Sequence, residues 1–559
     1  MTKLLLKTIV PLGAAVVLFS AFSGVLGQTP RPTPTPDDRP PVQPTFSVPQ
    51  RPLPDATRVG VVAGTELSLS LDDAIEMALK NNNDIGVSRA GTKTSNLDLL
   101  GVKGAYDPLV ASTNFYESVS VPTASAIGGA VNGSVTTTRT SNNISIDGLV
   151  PLGGASYSAV FNSSRNTTSN TNSFLNPQFP SSLNFSYTQP LRRNRSIDAA
   201  RRNIQIAKKN IEISETQLQT EAMNVVNTVE QAYWDLVYAM RSIEVQTDTL
   251  KQARAQLESN SRMVEKGVLA PIEIVAARAQ IATFEQNVYE AQESATRAEN
   301  TLKTLILAER SAPEWDRPIT PVTPTAVAVP QIGLEIAKIE AFRKRPEIAE
   351  FQLRQDQNLI DQRFYKDQKK MQIDLVGSYT TQGLGGTQTP AAINPATGLS
   401  RVPPNLVGGY FTSLRNLLGQ EYPTYRASLV FSFPLGNRAA RANYGKTLVA
   451  ADSLEKQRAA REQTVEAEVR NALQSLRSTE ARLSAATSAR EAAEELYNSE
   501  ERLFRGGTST FYLVSQRLQD LVVARGRELA ARTDLNKAIA GFNRATGTIL
   551  EVHNVTVGK

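Results

Sequence analysis

"FSFPLGNRAARANYGKTLVAAD", residues 431–452, begins with the alternation of a strand and ends with the spacing of a helix. "YTQPLRRNRSIDAARRNIQIAKK", residues 187–209, makes the same change. In each, an aromatic-rich alternating run meets Pro-Leu, then basic residues, then a long Ala-rich helical pattern. The two junction prolines, Pro190 and Pro434, stand 244 residues apart. Proline has no backbone N–H to give to a ladder, so it suits a strand end. Gly436 and Asn437 let the chain turn, and Arg438 and Arg441 open the following helix in water.

Upstream of each junction the strands alternate with period two. "YRASLVFSF" (425–433) sets Tyr425, Ala427, Leu429, Phe431 and Phe433 against Arg426, Ser428 and Ser432. "LNFSYTQ" (183–189) sets Leu183, Phe185 and Tyr187 against Asn184, Ser186 and Thr188. "IDLVGSYTT" (373–381) follows the same tendency. One apolar and one small-polar face fits a barrel with lipid outside and water inside, and a strand of a soluble sandwich reads the same way. Gly-, Thr- and Asn-rich stretches at 120–143, 163–181 and 383–409 read as exposed loops. "NNISIDGLV" (142–150) and "ASYSAVFNS" (155–163) also alternate, and the second half has no equivalent. The first half therefore holds two or four strands, with the extra pair either in the sheet or projecting as a hairpin.

Downstream of each junction runs a very long helix, 195–266 in one half and 438–505 in the other. Their seams, Leu218, Ala222, Val225 and Val229, and Val465, Val469, Ala472 and Leu476, step by threes and fours, the spacing of coiled-coil stripes. At 1.5 Å per residue each is roughly 100 Å long, so each must pack lengthwise on other helices. Return helices follow at 271–309 and 509–547. Shorter helices at 71–103 and 333–370 precede the strands. The segments recur in order: "DAIEMALKNNNDI" with "AKIEAFRKRPEI", "YDPLVASTNFY" with "KMQIDLVGSY", the two junctions, and "EKGVLAPIEIVAARAQI" with "FRGGTSTFYLVSQRLQD". We read a duplication. Strands in a membrane leave no open edge, because unpaired backbone groups are costly there. Four strands close no useful barrel alone, so an oligomer follows if they lie in lipid.

Composition narrows the function. The chain has 559 residues, 40% of them hydrophobic and 6% aromatic, with no Cys and one His, His553. Mean hydropathy is −0.27. Thiol chemistry, disulfides and thiolate metal sites are excluded, and an imidazole-based metal or acid–base site is not expected. Lys3, Lys7 and the apolar run to Gly27 predict a signal peptide over 1–27. Its removal takes two Lys and no acid, so the net charge falls from +6 to +4, which argues for no nucleic-acid partner. The expected domains are the signal peptide (1–27), a Pro-rich linker (28–66), a first repeat (67–311, strands about 107–190), a connector (312–332), a second repeat (333–550, strands about 372–434) and a tail (551–559). No catalytic, cofactor or metal constellation is found. The carboxylates of "EAAEELYNSEER" (491–502) lie among Arg at helical spacing, as on a solvated face. "GVLGQ" and "GLGGTQ" lack the Lys and the helix of a phosphate loop.

These residues resemble the TolC-like outer-membrane efflux family over nearly all of 67–550. The resemblance rests on "LSLDDAIEMALKNNNDI" (69–85), "QPLRRN" (189–194), "VEQAYWDLVYA" (229–239), "KGVLAPIEIVAARAQ" (266–280), "RPEIAEFQLR" (345–354), "FSFPLGNRAAR" (431–441) and "LNKAIAGFNRATGTIL" (535–550). It implies a mixed α and β membrane protein, a homotrimer in the outer membrane of a Gram-negative-type cell. Each protomer would give about four strands to a 12-stranded barrel and its helices to a long periplasmic tunnel. Substrates would leave passively, driven by an inner-membrane pump joined through a periplasmic adaptor. The added pair at 142–163 departs from that plan.

The resemblance also implies sites. Gly267, Leu269, Ala270, Gly507, Thr508 and Ser509, at the two helix-turn-helix tips, would contact the adaptor, and the glycines also permit the turns. In some family members acidic residues after the second tip ring the pore. The matching positions here are Leu513 and Gln516, neither acidic, with Asp520 one turn on and Glu273 after the first tip. Three copies of an acid about a three-fold axis favour cations; the alternative is that Asp520 pairs with Arg517. Against the duct stands a coiled-coil envelope scaffold or adhesin, which leaves the duplicated strands and Pro-Leu junctions unexplained.

Overall fold

The computed structural model describes residues 52, 58–62, 64–123, 126–130, 132–326 and 328–556. The expected signal peptide and most of the Pro-rich linker lie outside the described residues. The chain divides into residues 1–53 and 54–559, and every described helix and strand belongs to the second unit.

Strand β1 (Leu67–Leu69) leads into α1 (Leu71–Asn81), capped by a Ser70–Asp73 box. Asn82 ends α1 and caps α2 (Asn83–Lys103), its side chain accepting from the Asp84 and Ile85 amides. Four strands follow, β2 (Leu109–Pro122), β3 (Ser134–Leu149), β4 (Ser156–Thr168) and β5 (Leu175–Pro190). Helix α3 (Ala199–Glu265) is 67 residues long and α4 (Ile272–Ile306) is 35. Strand β6 (Ile319–Pro321) then pairs in parallel with β1. The second half runs α5 (Leu334–Lys344), α6 (Pro346–Gln368), β7 (Gln372–Gln388), α7 (Tyr410–Leu418) and β8 (Tyr422–Ser432). It ends with α8 (Arg438–Arg505, 68 residues), α9 (Phe511–Thr546, 36 residues) and a last turn α10 (Ile549–Val552).

β2-β3-β4-β5-β7-β8 form one antiparallel six-stranded sheet. The extra pair of the first half is therefore in the sheet: of the two alternatives left open by the sequence, two strands or four in the first half, the structure has four, which makes six in all. The strands also run further than expected. β3 starts at Ser134, inside the stretch read as loop, because "SVTTTRT" is β-branched at most positions and stays paired although it lacks apolar contrast. The outer edges of β2 and β8 carry no described partner.

Both helices that precede the strands are broken. α1 and α2 part at Asn82 (ψ 130°) and α5 and α6 at Arg345 (ψ 121°); the latter break follows from Pro346, which drives the residue before it out of the helical region. The connector read over 312–332 is partly structured, since β6 lies within it. The end of the Pro-rich linker is also docked: Arg58 pairs with Glu299 of α4 at 2.5 Å, and the Val62 amide donates to Asp316 O at 2.7 Å.

Three apolar clusters hold the helices. In the first, Tyr233 and Trp234 of α3 pack with Ile75, Leu302, Ile319 and Ile549. The Tyr233 hydroxyl donates to Leu69 O at 3.0 Å, tying α3 to β1. In the second half Val465, Val469 and Leu476 of α8 meet Leu535, Ile539 and Phe542 of α9. A third cluster joins the two hairpins near their turns. Fully burying each large apolar side chain is worth about 1.5–3 kcal/mol, so these seams, more than helix propensity, hold helices of this length.

Candidate functional site

Three features follow one another in each half: strands of a two-faced sheet, a strand-to-helix junction and a helical tip. Pairing fixes the faces. Ile146, Ala159, Phe185, Tyr379 and Tyr425 line up across five strands, as do Ile144, Phe161 and Leu183 in the next row. Phe185 and Tyr425 are 46% and 76% exposed. The opposite face carries Ser158, Ser186, Ser378 and Arg426 in one row. The alternation read from the separate strands thus lines up across β3, β4, β5, β7 and β8.

The junctions differ in construction. β5 ends on Pro190 paired with Asp374, and the Leu191 amide still donates to Ile373 O at 2.8 Å. The turn to α3 is held by Asp367, 2% exposed, which accepts from the Asn194 amide at 2.7 Å and from Lys370 Nζ at 2.6 Å. Arg201 donates to Asp198 at 2.8 Å and to Arg195 O at 2.9 Å. β8 ends at Ser432, two residues before Pro434, and α8 starts four residues after it. Gly436 (φ +79°) and Asn437 (φ +43°) make that turn, where Asn437 Nδ2 donates to Lys369 O at 3.2 Å. Sequence reasoning missed Asp367 and Arg201, whose partners come from far along the chain or from local turn geometry.

The tips are alike. Gly267 (φ +72°) and Gly507 (φ +76°) each follow the helix cap. The Val268 amide donates to Met263 O at 2.9 Å and Gly267 to Val264 O at 2.9 Å. The Thr508 amide donates to Leu503 O at 3.0 Å and Gly507 to Phe504 O at 3.0 Å. This is the paired bonding of a left-handed helix cap. Gly267, Ala270, Gly507 and Thr508 are exposed, and Leu269 and Ser509 are half-buried. Ser509 also hydrogen-bonds Glu500. Behind the tips Phe504 and Phe511 pack with their rings tilted by 55° and their centroids 6.2 Å apart, in one cluster with Phe284 and Ile281 of the other hairpin. Ser515 donates to Gln280 at 2.6 Å between the hairpins. Leu513, Gln516 and Asp520 are exposed at helical spacing on α9, and Glu273 is half-buried in the first turn of α4. Arg517 lies 3.4 Å from Asp520.

Two charged clusters brace the helices away from the tips. Arg345, wholly buried, pairs with Glu347 at 2.7 Å and closely with Glu468. Burial acts to lower the Arg345 pKa, but bonds to Glu347 and Glu468 raise it overall. His553 lies 2.8 Å from Glu230 and 3.1 Å from Asp72, fastening the end of the chain to α3 and α1. Burial acts to lower its pKa, and the bond and charge of Glu230, then Asp72, outweigh that and raise it.

Comparison with known proteins bears on this arrangement. Residues 155–306 match the family described as outer membrane efflux protein. Among curated proteins, sequence comparison finds no relative. Among solved structures, the outer-membrane channel OprN is similar with a TM-score of 0.59 at 16% identity, covering 88% of this chain and 95% of that one. The Campylobacter jejuni CmeC outer membrane channel gives 0.58 at 15%, covering 90% and 94%. The Neisseria gonorrhoeae MtrE outer membrane channel, in its open state, gives 0.57 at 15%, covering 90% and 98%. Residues 155–306 thus match the outer membrane efflux protein family, and the chain as a whole has the fold of the outer-membrane channels it resembles.

Proposed function

We propose that the protein is the outer-membrane exit duct of a tripartite efflux or type I secretion system, conducting substrates passively from the periplasm to the exterior. The observation that carries this reading is a sheet with one apolar face and two unpartnered edges, whose strands run into helices of 67 and 68 residues. In lipid, open edges must be closed. β8 of one copy would pair with β2 of the next, an antiparallel match because the sheet has an even number of strands. A homotrimer then closes an 18-stranded barrel. Barrel diameter grows roughly linearly with strand number, so the lumen is about 1.5 times as wide as that of the 12-stranded barrel the family resemblance implies.

The helical hairpins would form the periplasmic tunnel, with Gly267, Leu269, Ala270, Gly507, Thr508 and Ser509 as the surface for a periplasmic adaptor and, through it, an inner-membrane pump. Matching turn geometry at both tips supports this assignment. The pore constriction is assigned to Leu513, Gln516 and Asp520, with Glu273 beside the first tip. The duplication, 67–311 and 333–550, is supported by the near-equal helix pairs of 67 and 68 and of 35 and 36 residues. The remaining boundaries (signal peptide, linker, connector and tail) stay as read from the sequence.

The test is fractionation of the expressed protein, its mass in detergent, and recording in planar bilayers with neutral polymers of graded size. A trimer from the outer membrane should conduct steadily and admit larger polymers than a 12-stranded barrel. A water-soluble or non-conducting species would support the scaffold reading instead.

A further inference from the structure

Helix α7 exposes large apolar residues that a helix in water would cover. It buries Leu417 together with the polar Ser413 and Asn416, while Phe411 and Leu418 are 83% and 78% exposed. Its seat on the sheet is built for it. A Cβ on Gly383 would stand 2.0 Å from Ser413 O, and one on Gly385 2.6 Å from Gly409 O. Only glycine allows so close an approach. Ser181 and Ser413 hydroxyls lie 2.6 Å apart, Thr381 donates to Leu417 O at 3.1 Å, and Asn416 donates to Leu384 O at 2.9 Å and Asn405 O at 2.8 Å.

The seat also fixes the side. Ser181 shares a face of β5 with Leu183 and Phe185, and Thr381, Gly383 and Gly385 share a face of β7 with Leu375 and Tyr379. α7 therefore lies on the apolar face, just beyond its last aromatic row. It runs back along β7 from the level of Gly385 to that of Thr381. Ile373 to Tyr379 covers about 20 Å of strand, and the nine residues of α7 cover about 13 Å more. At the usual tilt of about 40° the apolar stretch of β7 alone is about 15 Å tall, and up to the level of Gly385, where α7 starts, about 30 Å, enough to cover the roughly 25 Å apolar band of a transmembrane barrel.

We propose that α7 is a lipid-facing collar of the barrel, with Phe411 and Leu418 among the acyl chains of the outer leaflet. The proposal rests on the barrel reading above. α7 packs on β7 and β5, two interior strands of the sheet, and not on β2 or β8, the edge strands at which neighbouring copies pair. Arg415, exposed between the two apolar residues, has a stem long enough to bring its charge to headgroup level. The sheet-facing polar groups are all matched by hydrogen bonds, which is what lipid on the other side of the helix demands.

Because the chain has no Cys, single nitroxide labels can be placed cleanly. Phe411→Cys, Leu418→Cys, Phe185→Cys and Thr380→Cys in the full-length protein are labelled, reconstituted into phospholipid vesicles, and read by collision with oxygen against a water-soluble nickel chelate. Oxygen collisions should exceed nickel several-fold at 411, 418 and 185, and the order should reverse at 380. If 185 prefers oxygen while 411 and 418 prefer nickel, α7 stands in water and the proposal fails. Shielding of 411 and 418 from both quenchers places another protein segment there and overturns it equally. If 185 itself prefers nickel, the barrel reading fails with it.

Discussion

Replacing Arg345 by Met should loosen the region where α5, α6 and α8 meet. The guanidinium is fully buried and faces two carboxylates, Glu347 with 14% and Glu468 with 34% of the side chain exposed. Removing one member of a buried ion cluster costs about 3–5 kcal/mol, because the charges left behind lose their partner. Here the loss is reduced. Glu347 keeps Arg461 at 3.0 Å, Glu468 keeps Arg544 at 3.8 Å, and Glu468 is partly solvated. We expect about 2–3 kcal/mol, or roughly 30- to 150-fold faster local opening. Amide exchange of the reconstituted protein reads this at the end of α5 and over 463–470 of α8. Arg345→Lys, which keeps the charge but loses the planar fork, should give a smaller increase. Burial acts to raise the Glu347 pKa, and Arg345 outweighs it and lowers the value overall. The contribution of Glu347 is therefore present above its unfolded pKa of about 4.5 and is lost as pH falls through the lower folded value. Exchange in Arg345→Met within threefold of the parent protein would refute the argument: the cluster would then be no more stabilising than a packed apolar side chain.

Three further outcomes are expected. Gly267→Val and Gly507→Val put a β-branched residue at positive φ with no atom near the new Cβ, a purely conformational cost of about 1–2 kcal/mol; tip amides should exchange faster and adaptor cross-linking should fall, whereas Asn at either position should stay close to the parent, and equal behaviour of Val and Asn would contradict this. The raised His553 pKa stabilises the end of the chain fully below the unfolded value of about 6.5 and fades as pH rises through the folded one. Exchange over 549–555, corrected for intrinsic rates, should therefore speed up on the alkaline side, and His553→Gln should remove that dependence. Asp520→Asn should alter conductance or cation block in planar bilayers, and Arg517→Gln should deepen the block by freeing Asp520; no change in either variant would remove Asp520 from the constriction.

The helices were legible because their seams repeat over dozens of residues and their ends carry punctuation. α8 was expected at 438–505 and spans Arg438–Arg505, since Gly436 and Asn437 mark its start and Gly506 its end. The sheet was half legible. Aromatic rows such as Phe431 and Tyr425 announce strands, while "SVTTTRTSNN" alternates Thr with Thr and offers no contrast between faces. α7 was not legible at all, because Ser413 and Asn416 face inward and only the glycines of β7 say why. The ion cluster of Arg345 shows the same limit: Pro346 marks the break locally, but the partner Glu468 lies on a helix that begins 93 residues later, at Arg438. At the candidate site the two glycine turns carried a local signal, whereas Asp367 and His553 are defined by groups brought together in three dimensions.

The ladder between β5 and β7 joins Leu183 to Thr381, so the middle of the sheet is sealed by segments about two hundred residues apart. Every other neighbouring pair in the sheet is a local hairpin. Such a non-local seam is slow to form. Until β7 and β8 join it, a meander of β2–β5 would have both edges bare, a template for wrong pairing. The duplicated layout thus imposes an order of assembly: the first meander must be kept from aggregating until the last two strands arrive, and only then can one copy offer β8 to the next.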